Sequence, residues 1–116
     1  MILNIYIDNS AYQIDVPPEI LEDAQDFYAK MDRDMDRGWT MSRHYVEQPD
    51  TIQRCQIAAD KILGAINTDN RKMALLMAGY ILSRLPRVQG VQIDTKGEIF
   101  NTTLLMPADS GPARQD

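Results

Sequence analysis

The fold of this chain follows from residues 2–16, which read ILNIYIDNSAYQIDV. Alternate positions on both sides of the polar Asp8-Asn9-Ser10 segment are apolar, namely Leu3, Ile5, Ile7, Tyr12, Ile14 and Val16. Period-two alternation around a polar turn predicts a β-hairpin. Asn4, Gln13 and Asp15 then face the other side, as in a sheet that has one face in water.

A long helix is predicted next, from Pro18 to Arg37. Proline is favoured in the first turn of a helix. Apolar residues recur at spacings of three and four, at Ile20, Ala24, Phe27, Met31 and Met35. Acidic residues are concentrated near its start and basic residues near its end, as the helix dipole favours. Gly38 marks the end of this helix, because glycine readily adopts the positive φ that terminates one.

Two further helices and a second hairpin complete the predicted order. Asp50, with Gln53 three residues later, is typical of a capped helix start. The following helix begins near Asp69 and ends before Pro86. Beyond it, alternation predicts two strands joined by a short loop at residues 95–97. The alternating positions of these strands are Val91, Ile93, Phe100, Thr102 and Leu104.

The sequence therefore predicts an α+β fold of order ββαααββ. We expect the two β-hairpins, N-terminal and C-terminal, to form one four-stranded antiparallel sheet with the three helices on one face. Residues 1–106 form a single domain in this interpretation, and the polar, Pro- and Gly-containing residues 107–116 form a disordered tail. The pattern leaves the strand order open. Hairpins that do not meet within one chain would meet across a homodimer.

Composition limits the classes of function. The chain has 116 residues, a formal net charge of -5 and one cysteine. A negative charge repels phosphate backbones, so nucleic-acid binding is not expected. No apolar run is long enough to span a bilayer, and no membrane association is expected. A single cysteine cannot form an intramolecular disulfide, which fits a cytoplasmic protein.

Three aspartates alternate at the charged end of the first predicted helix, at Asp32, Asp34 and Asp36. The spacing is similar to the start of a calcium-binding loop. However, Arg37 and Arg43 occupy the positions where such a loop needs glycine and a bidentate glutamate. We interpret the aspartates as a solvated helix face with local ion pairs, and we expect no metal and no cofactor.

Two side chains are candidates for catalysis, and neither has the partners that catalysis needs. His44 is the natural general acid or base near neutral pH. Ser42 and Glu47 are its neighbours in sequence, but they form no recognised arrangement with it. Cys55 lies on the apolar stripe of the second helix, which predicts a small buried hydrophobe. No catalytic residue is assigned.

The segment after Gly38 holds a set of residues that is common at binding interfaces: Trp39, Met41, Arg43, His44 and Tyr45. Aromatic residues, methionine and arginine are enriched where one protein contacts another. Our first hypothesis is a non-catalytic interaction or regulatory module that binds a protein partner or associates with itself. Trp39 and Tyr45 would be its anchors, and Arg43 would pair with a carboxylate.

The alternative hypothesis is a small-molecule-binding protein or enzyme. In that case Arg43 binds an anion and His44 acts as acid or base. The pocket lies between the sheet and the first helix, and it has an adaptable lining of Met31, Met35 and Met41. The packing of Trp39 separates the two hypotheses. The helix positions that would meet Trp39 in a helix-ending turn are Arg33 and Asp34, which are not apolar. We therefore predict that Trp39 packs away from its own helix end, on the domain core or on another molecule.

Overall fold

The structure is a computed structural model that describes residues 1–107. Its strands are Ile2–Ile7 (β1), Ser10–Asp15 (β2), Trp39–Met41 (β3), His44–Val46 (β4), Gly90–Ile93 (β5) and Thr103–Leu105 (β6). Its helices are Pro18–Asp23 (α1), Gln25–Asp36 (α2), Thr51–Asn67 (α3) and Arg71–Arg84 (α4), with a 3-10 turn at Ile99–Asn101. The predicted α+β class is confirmed. The tail predicted for residues 107–116 lies outside the described residues, apart from Pro107.

The four terminal strands form one sheet, in the order β2-β1-β5-β6. β1 pairs with β2 and β5 pairs with β6 antiparallel, as the two predicted hairpins require. β1 and β5 are parallel, however, with Asn4 beside Gly90. The prediction of a purely antiparallel sheet is therefore wrong. The helices lie between β2 and β5 in the chain. This long connection allows β5 to enter the sheet parallel to β1. The two hairpins meet within one chain.

The core lies between one face of this sheet and the helices. Leu3 and Ile5 of β1 and Val91 of β5 are fully buried on that face. The other face is open, and Gln13 and Gln92 are exposed on it. Alternation along each strand accounts for this difference between the faces.

The helix predicted from Pro18 to Arg37 is interrupted at Ala24. The side-chain amide of Gln25 donates a hydrogen bond to the Leu21 carbonyl at 2.5 Å. In an unbroken helix that carbonyl would accept from the Gln25 backbone N–H. A side chain thus replaces one backbone hydrogen bond, and α1 and α2 are separate helices.

The later helices begin close to their predicted starts. Asp50 accepts from the Gln53 N–H at 2.8 Å, and Gln53 accepts from the Asp50 N–H at 2.9 Å, which is a complete capping box. α4 is capped by Asn70, whose side chain accepts from the Met73 N–H at 3.1 Å. Its first residue, Arg71, lies close to the start predicted near Asp69.

Two local features differ from the prediction. A second, two-stranded sheet is formed by β3 and β4, in a segment for which the sequence pattern predicts no strand. The loop between β5 and β6 is longer than residues 95–97, because Phe100 lies in the 3-10 turn rather than in a strand. Among residues 1–107, no helix has the length and apolar character needed to cross a membrane.

Candidate functional site

The β3–β4 hairpin places the residues of the predicted contact set on its two faces. Trp39 is paired with Val46, Thr40 with Tyr45, and Met41 with His44. Cross-strand partners share a face, so Trp39, Met41 and His44 lie on one face and Tyr45 on the other. The tight turn is made at Ser42, which has a φ of 57°. The five residues therefore do not form a single continuous surface.

Tyr45 and Gly38 join this hairpin to the end of α2. The Tyr45 side chain is 63% exposed, but its hydroxyl donates to the Arg37 carbonyl at 2.7 Å. Gly38 has a φ of 99°, and a Cβ at this position would lie 2.0 Å from the Tyr45 hydroxyl oxygen. Glycine is thus required both for its backbone conformation and for the close approach of Tyr45.

His44 and Arg43 lie at the exposed tip of the hairpin. The His44 ring meets the Phe100 ring edge to face, with 5.9 Å between the centroids. The Ser42 hydroxyl, which we considered beside His44, accepts from the Ile99 N–H at 2.7 Å. These contacts fasten the hairpin to the 3-10 turn, and they do not assemble a nucleophile with a base.

Met41 and Trp39 point inward to different extents. Met41 is fully buried and belongs to the core, so its side chain is not on the surface. Trp39 is half-buried, with the Lys61 ammonium 5.1 Å from its ring centroid. Trp39 also lines a cleft with Met31 and Met35 of α2. The ring packs against the domain core, which is one of the two positions that the sequence predicts for it.

The cleft beside Trp39, hereafter the Trp39 cleft, has a volume of about 180 Å³. Its walls come from α2, β3, α3 and α4. The lining residues are Phe27, Met31, Asp34, Met35, Trp39, Lys61, Met73 and Met77. Methionine side chains are flexible and polarisable, so the walls of such a cleft can adapt to different apolar groups. Lys61 and Asp34 add one charge of each sign.

The opposite side of α2 carries a polar cluster centred on Asp32. The Asp32 carboxylate accepts from the Tyr80 hydroxyl at 2.5 Å, from Arg84 at 2.6 Å and from Arg54 at 3.2 Å. Arg54 also donates to the Asp36 carboxylate at 2.6 Å and to the backbone carbonyl of Pro49 at 2.8 Å. This Asp32 cluster ties α2 to α3 and α4. The prediction of a solvated face with local ion pairs is therefore wrong for Asp32, whereas Asp34 does form a local ion pair, with Lys30 at 3.2 Å.

Burial and hydrogen bonding have opposite effects on the pKa values of Asp32 and Arg84. Burial raises the pKa of Asp32, but hydrogen bonds from Tyr80, Arg84 and Arg54 outweigh it and hold the pKa below its ordinary value. Burial lowers the pKa of Arg84, and its hydrogen bond and charge interaction with Asp32 more than reverse that effect. Burial and the bond to Asp32 raise the pKa of Tyr80. Asp32, Arg54 and Arg84 are thus held in their ionised forms, and Tyr80 is held in its neutral form.

Cys55 is fully buried, as its place on the apolar stripe of α3 predicts. Burial raises the pKa of its thiol to about 12. A thiol with so high a pKa is a poor nucleophile at neutral pH. In the part of the chain that the structure describes, His, Cys, Asp and Glu side chains form no group of three suited to hold a metal ion.

The sequence interpretation missed several residues of both regions. Lys61, Met73 and Met77 of the Trp39 cleft lie on α3 and α4, and no local pattern relates them to Trp39. Phe27 was assigned to the buried stripe of its helix, yet its side chain is 39% exposed. Asp32 and Arg84 are 52 positions apart. The only sequence signal that favours such a pairing is the presence of charged residues on otherwise apolar helices.

Comparison with protein-family models, with curated proteins and with solved structures finds no match to this chain. The function is therefore inferred from the geometry of the described residues.

Proposed function

We propose that the protein is a non-catalytic interaction module that binds a protein partner through the Trp39 cleft. The observation that carries the proposal is a solvent-open cleft whose walls combine four methionines with Phe27 and Trp39. Methionine-rich surfaces with aromatic residues are typical of sites that bind apolar side chains of a partner. The partner inserts one large apolar side chain between α2 and α4.

The size of the cleft favours a side chain over a metabolite. Pockets for drug-sized ligands occupy about 300–1,000 Å³, whereas the Trp39 cleft has about 180 Å³. A dry cavity of about 150 Å³ accepts one benzene ring. The Trp39 cleft thus fits one aromatic ring or one branched aliphatic side chain, with the rest of the bound molecule outside it.

The negative charge of the protein favours a partner that carries a basic residue next to the inserted apolar side chain. The chain has a net charge of -5, and Asp34 in the cleft wall is 46% exposed. Lys61 is already placed over the Trp39 ring. A lysine or arginine next to the inserted side chain would therefore interact favourably with Asp34 and with the overall field of the protein. Arg43, His44 and Tyr45 on the exposed hairpin provide additional contacts outside the cleft.

The alternative of a small-molecule site near Arg43 and His44 receives less support. Neither residue lines any of the four clefts described for residues 1–107. Met41, which was to line that pocket, is fully buried. The methionines at positions 31 and 35 do line a cleft, but its other walls are helices and the hairpin, not the four-stranded sheet.

Selection from a displayed library of random, tryptophan-free peptides tests the proposal on the full chain. Trp39 is the only tryptophan, so its fluorescence reports occupation of the cleft, and NMR of the methionine methyl groups locates the bound peptide. We expect the selected peptides to share one large apolar residue beside a basic one. They should shift the signals of Trp39, Met31 and Met73.

Two matched variants make the test specific. Phe27→Ala removes an exposed ring from the cleft wall, and Ile52→Ala removes a side chain of 46% exposure at the start of α3. We expect Phe27→Ala to weaken peptide binding about tenfold or more, as for a hot-spot residue, and Ile52→Ala to leave it unchanged. Equal affinity for both variants, or selected peptides that leave Trp39 and the methionines undisturbed, would show that the cleft is not the binding site.

A further inference from the structure

The two edges of the four-stranded sheet are built differently. β6 has three residues and is followed at once by Met106-Pro107, so it offers little to a neighbouring strand. β2 has six residues, Ser10–Asp15, with no lysine, proline or glycine among them. Natural proteins usually protect sheet edges with charged residues, especially lysine, with proline, with bulges or with very short strands. β2 has one of these protections, the charged Asp15 at its end.

The hydrogen-bonding groups on the free edge of β2 can be identified. The Val16 N–H donates to the Met1 carbonyl at 2.7 Å. Hydrogen-bonded and non-bonded pairs alternate along an antiparallel ladder. Ser10, Tyr12 and Ile14 therefore bond to β1, and the N–H and C=O groups of Ala11, Gln13 and Asp15 point outward. Within residues 1–107, β2 pairs with no strand other than β1.

We propose that β2 pairs with β2 of a second copy of this chain, antiparallel and about a two-fold axis at Gln13. This register joins Gln13 to Gln13 of the partner subunit, and Ala11 to Asp15 of the partner subunit. It is the register that uses all three outward-pointing residues of each strand. Asp15 is the only charged side chain of β2, and it faces an alanine, so no like charges meet within the new ladder.

A groove beside β2 receives a side chain from the second copy. The groove has a volume of about 440 Å³ and lies between β2 and the start of α4, with Ile14, Ile66 and Ala74 among its walls. In the proposed register, Tyr12 of the partner subunit lies opposite Ile14, on the face of the sheet that carries the helices. Tyr12 is exposed in the single chain. Its ring would be covered by the groove of the other copy, as is common for tyrosine at interfaces.

The resulting dimer is one eight-stranded sheet, four strands from each chain, with both helical layers on the same side. The groove shares no residue with the Trp39 cleft, so this inference stands independently of the proposed function. The Trp39 cleft of each chain stays open in the dimer.

The dimer is expected to be weak, because the pairing of one strand is a small interface. Two chains of net charge -5 also repel each other. We therefore expect a concentration-dependent dimer that added salt strengthens, since salt screens the repulsion.

Sedimentation equilibrium of the full chain tests the proposal directly, from about micromolar to about millimolar protein. The wild-type chain should pass from monomer to dimer within this range. Gln13→Lys places two like charges at the two-fold axis. Gln13→Pro removes an outward N–H that β1 does not use. We expect both variants to stay monomeric at every concentration, with circular dichroism and melting curves close to those of the wild type.

Gln92→Lys is the matched control. Gln92 is exposed on the open face of the sheet but lies on the central strand β5, so its substitution should leave the dimer intact. The proposal is overturned by a wild-type chain that stays monomeric throughout. It is also overturned by a dimer that survives both Gln13 variants, or by one that Gln92→Lys abolishes, since those results place the interface elsewhere.

Discussion

The two flanks of α2 differ in how their side chains are used. On one flank, the Asp32 carboxylate accepts hydrogen bonds from three side chains of α3 and α4. On the other flank, Phe27, Met31 and Asp34 line a cleft that no part of residues 1–107 fills. Tyr28 and Met35, both buried, lie on the helix face between the two flanks, and Met35 also lines the cleft.

The difference between the flanks indicates which groups are structural and which retain binding capacity. A buried polar group whose hydrogen-bonding capacity is met inside the chain gains little from a ligand. The Asp32 cluster is of this kind, although it faces a surface depression. An apolar side chain left in water gains free energy when a partner covers it. We therefore propose a binding role for the Trp39 cleft and a structural role for the Asp32 cluster.

The largest expected effect comes from the structural flank. Asp32→Asn removes the charge that Arg54 and Arg84 neutralise, and it leaves two partly buried guanidinium groups without a full partner. We expect a loss of about 2–4 kcal/mol in the free energy of unfolding, as for breaking a buried ion pair, measured by urea denaturation.

Asp34→Asn is the control for this substitution, because it makes the same change two residues away on the same helix. Asp34 is 46% exposed, and within residues 1–107 its ion pair is with Lys30. Its loss should cost less than about 0.5 kcal/mol. Similar losses at both positions would remove the distinction between the flanks.

The next largest effect concerns the hairpin that carries Trp39. Gly38→Ala imposes a strained backbone at a φ of 99° and a clash with Tyr45. We expect about 1–3 kcal/mol of destabilisation together with a change in Trp39 fluorescence. Gly97→Ala, at a φ of 84° with nothing within 4 Å of the new Cβ, meets only the conformational penalty. It should therefore cost less and leave Trp39 unchanged. If both variants cost the same, the Tyr45 contact does not position the hairpin.

The smallest effect is a pH dependence of the Asp32 cluster. The pKa of Asp32 is lower in the folded chain than its ordinary value, so ionised Asp32 stabilises the fold above the unfolded-state pKa of about 3.9. This contribution is lost as pH falls through the lower, folded-state pKa. The stability difference between wild type and Asp32→Asn should be constant from about pH 5 to pH 7 and shrink below about pH 4. Urea denaturation across this range measures it, and a difference that grows in acid would contradict the assignment.

Local patterns predicted the secondary structure well, and their failures have identifiable causes. Alternation in residues 2–16 and the capping residues Asp50 and Gln53 depend only on near neighbours, and both predictions are confirmed. The break at Ala24 depends on which group donates a hydrogen bond to the Leu21 carbonyl. The donor is the side-chain amide of Gln25, and helix propensities do not predict this contact. The hairpin at residues 39–46 turns at Ser42 without the Gly or Asn that usually signals such a turn.

Long-range contacts were beyond the reach of the sequence pattern. Asp32 and Asp34 are identical in type and adjacent in the same alternation, yet only Asp32 faces Arg84. Which of the two aspartates faces α4 depends on how α2 packs against that helix. For the same reason, the pattern placed Trp39 at a candidate site but gave neither Lys61 nor Met73 as its neighbours. The binding roles of Trp39, Arg43, His44 and Tyr45 stay predictions for the peptide experiment to test.

The parallel pairing of β1 with β5 also sets the order of events during synthesis. β1 is made well before β5, and this second neighbour begins at Gly90. Until that segment leaves the ribosome, one edge of β1 has no strand to bond. The hairpin and the helices can form early, whereas the sheet closes only after β5 has been translated, because distant segments pair late. A stalled chain that ends before β5 would therefore expose an apolar strand edge, and we expect such fragments to need chaperones.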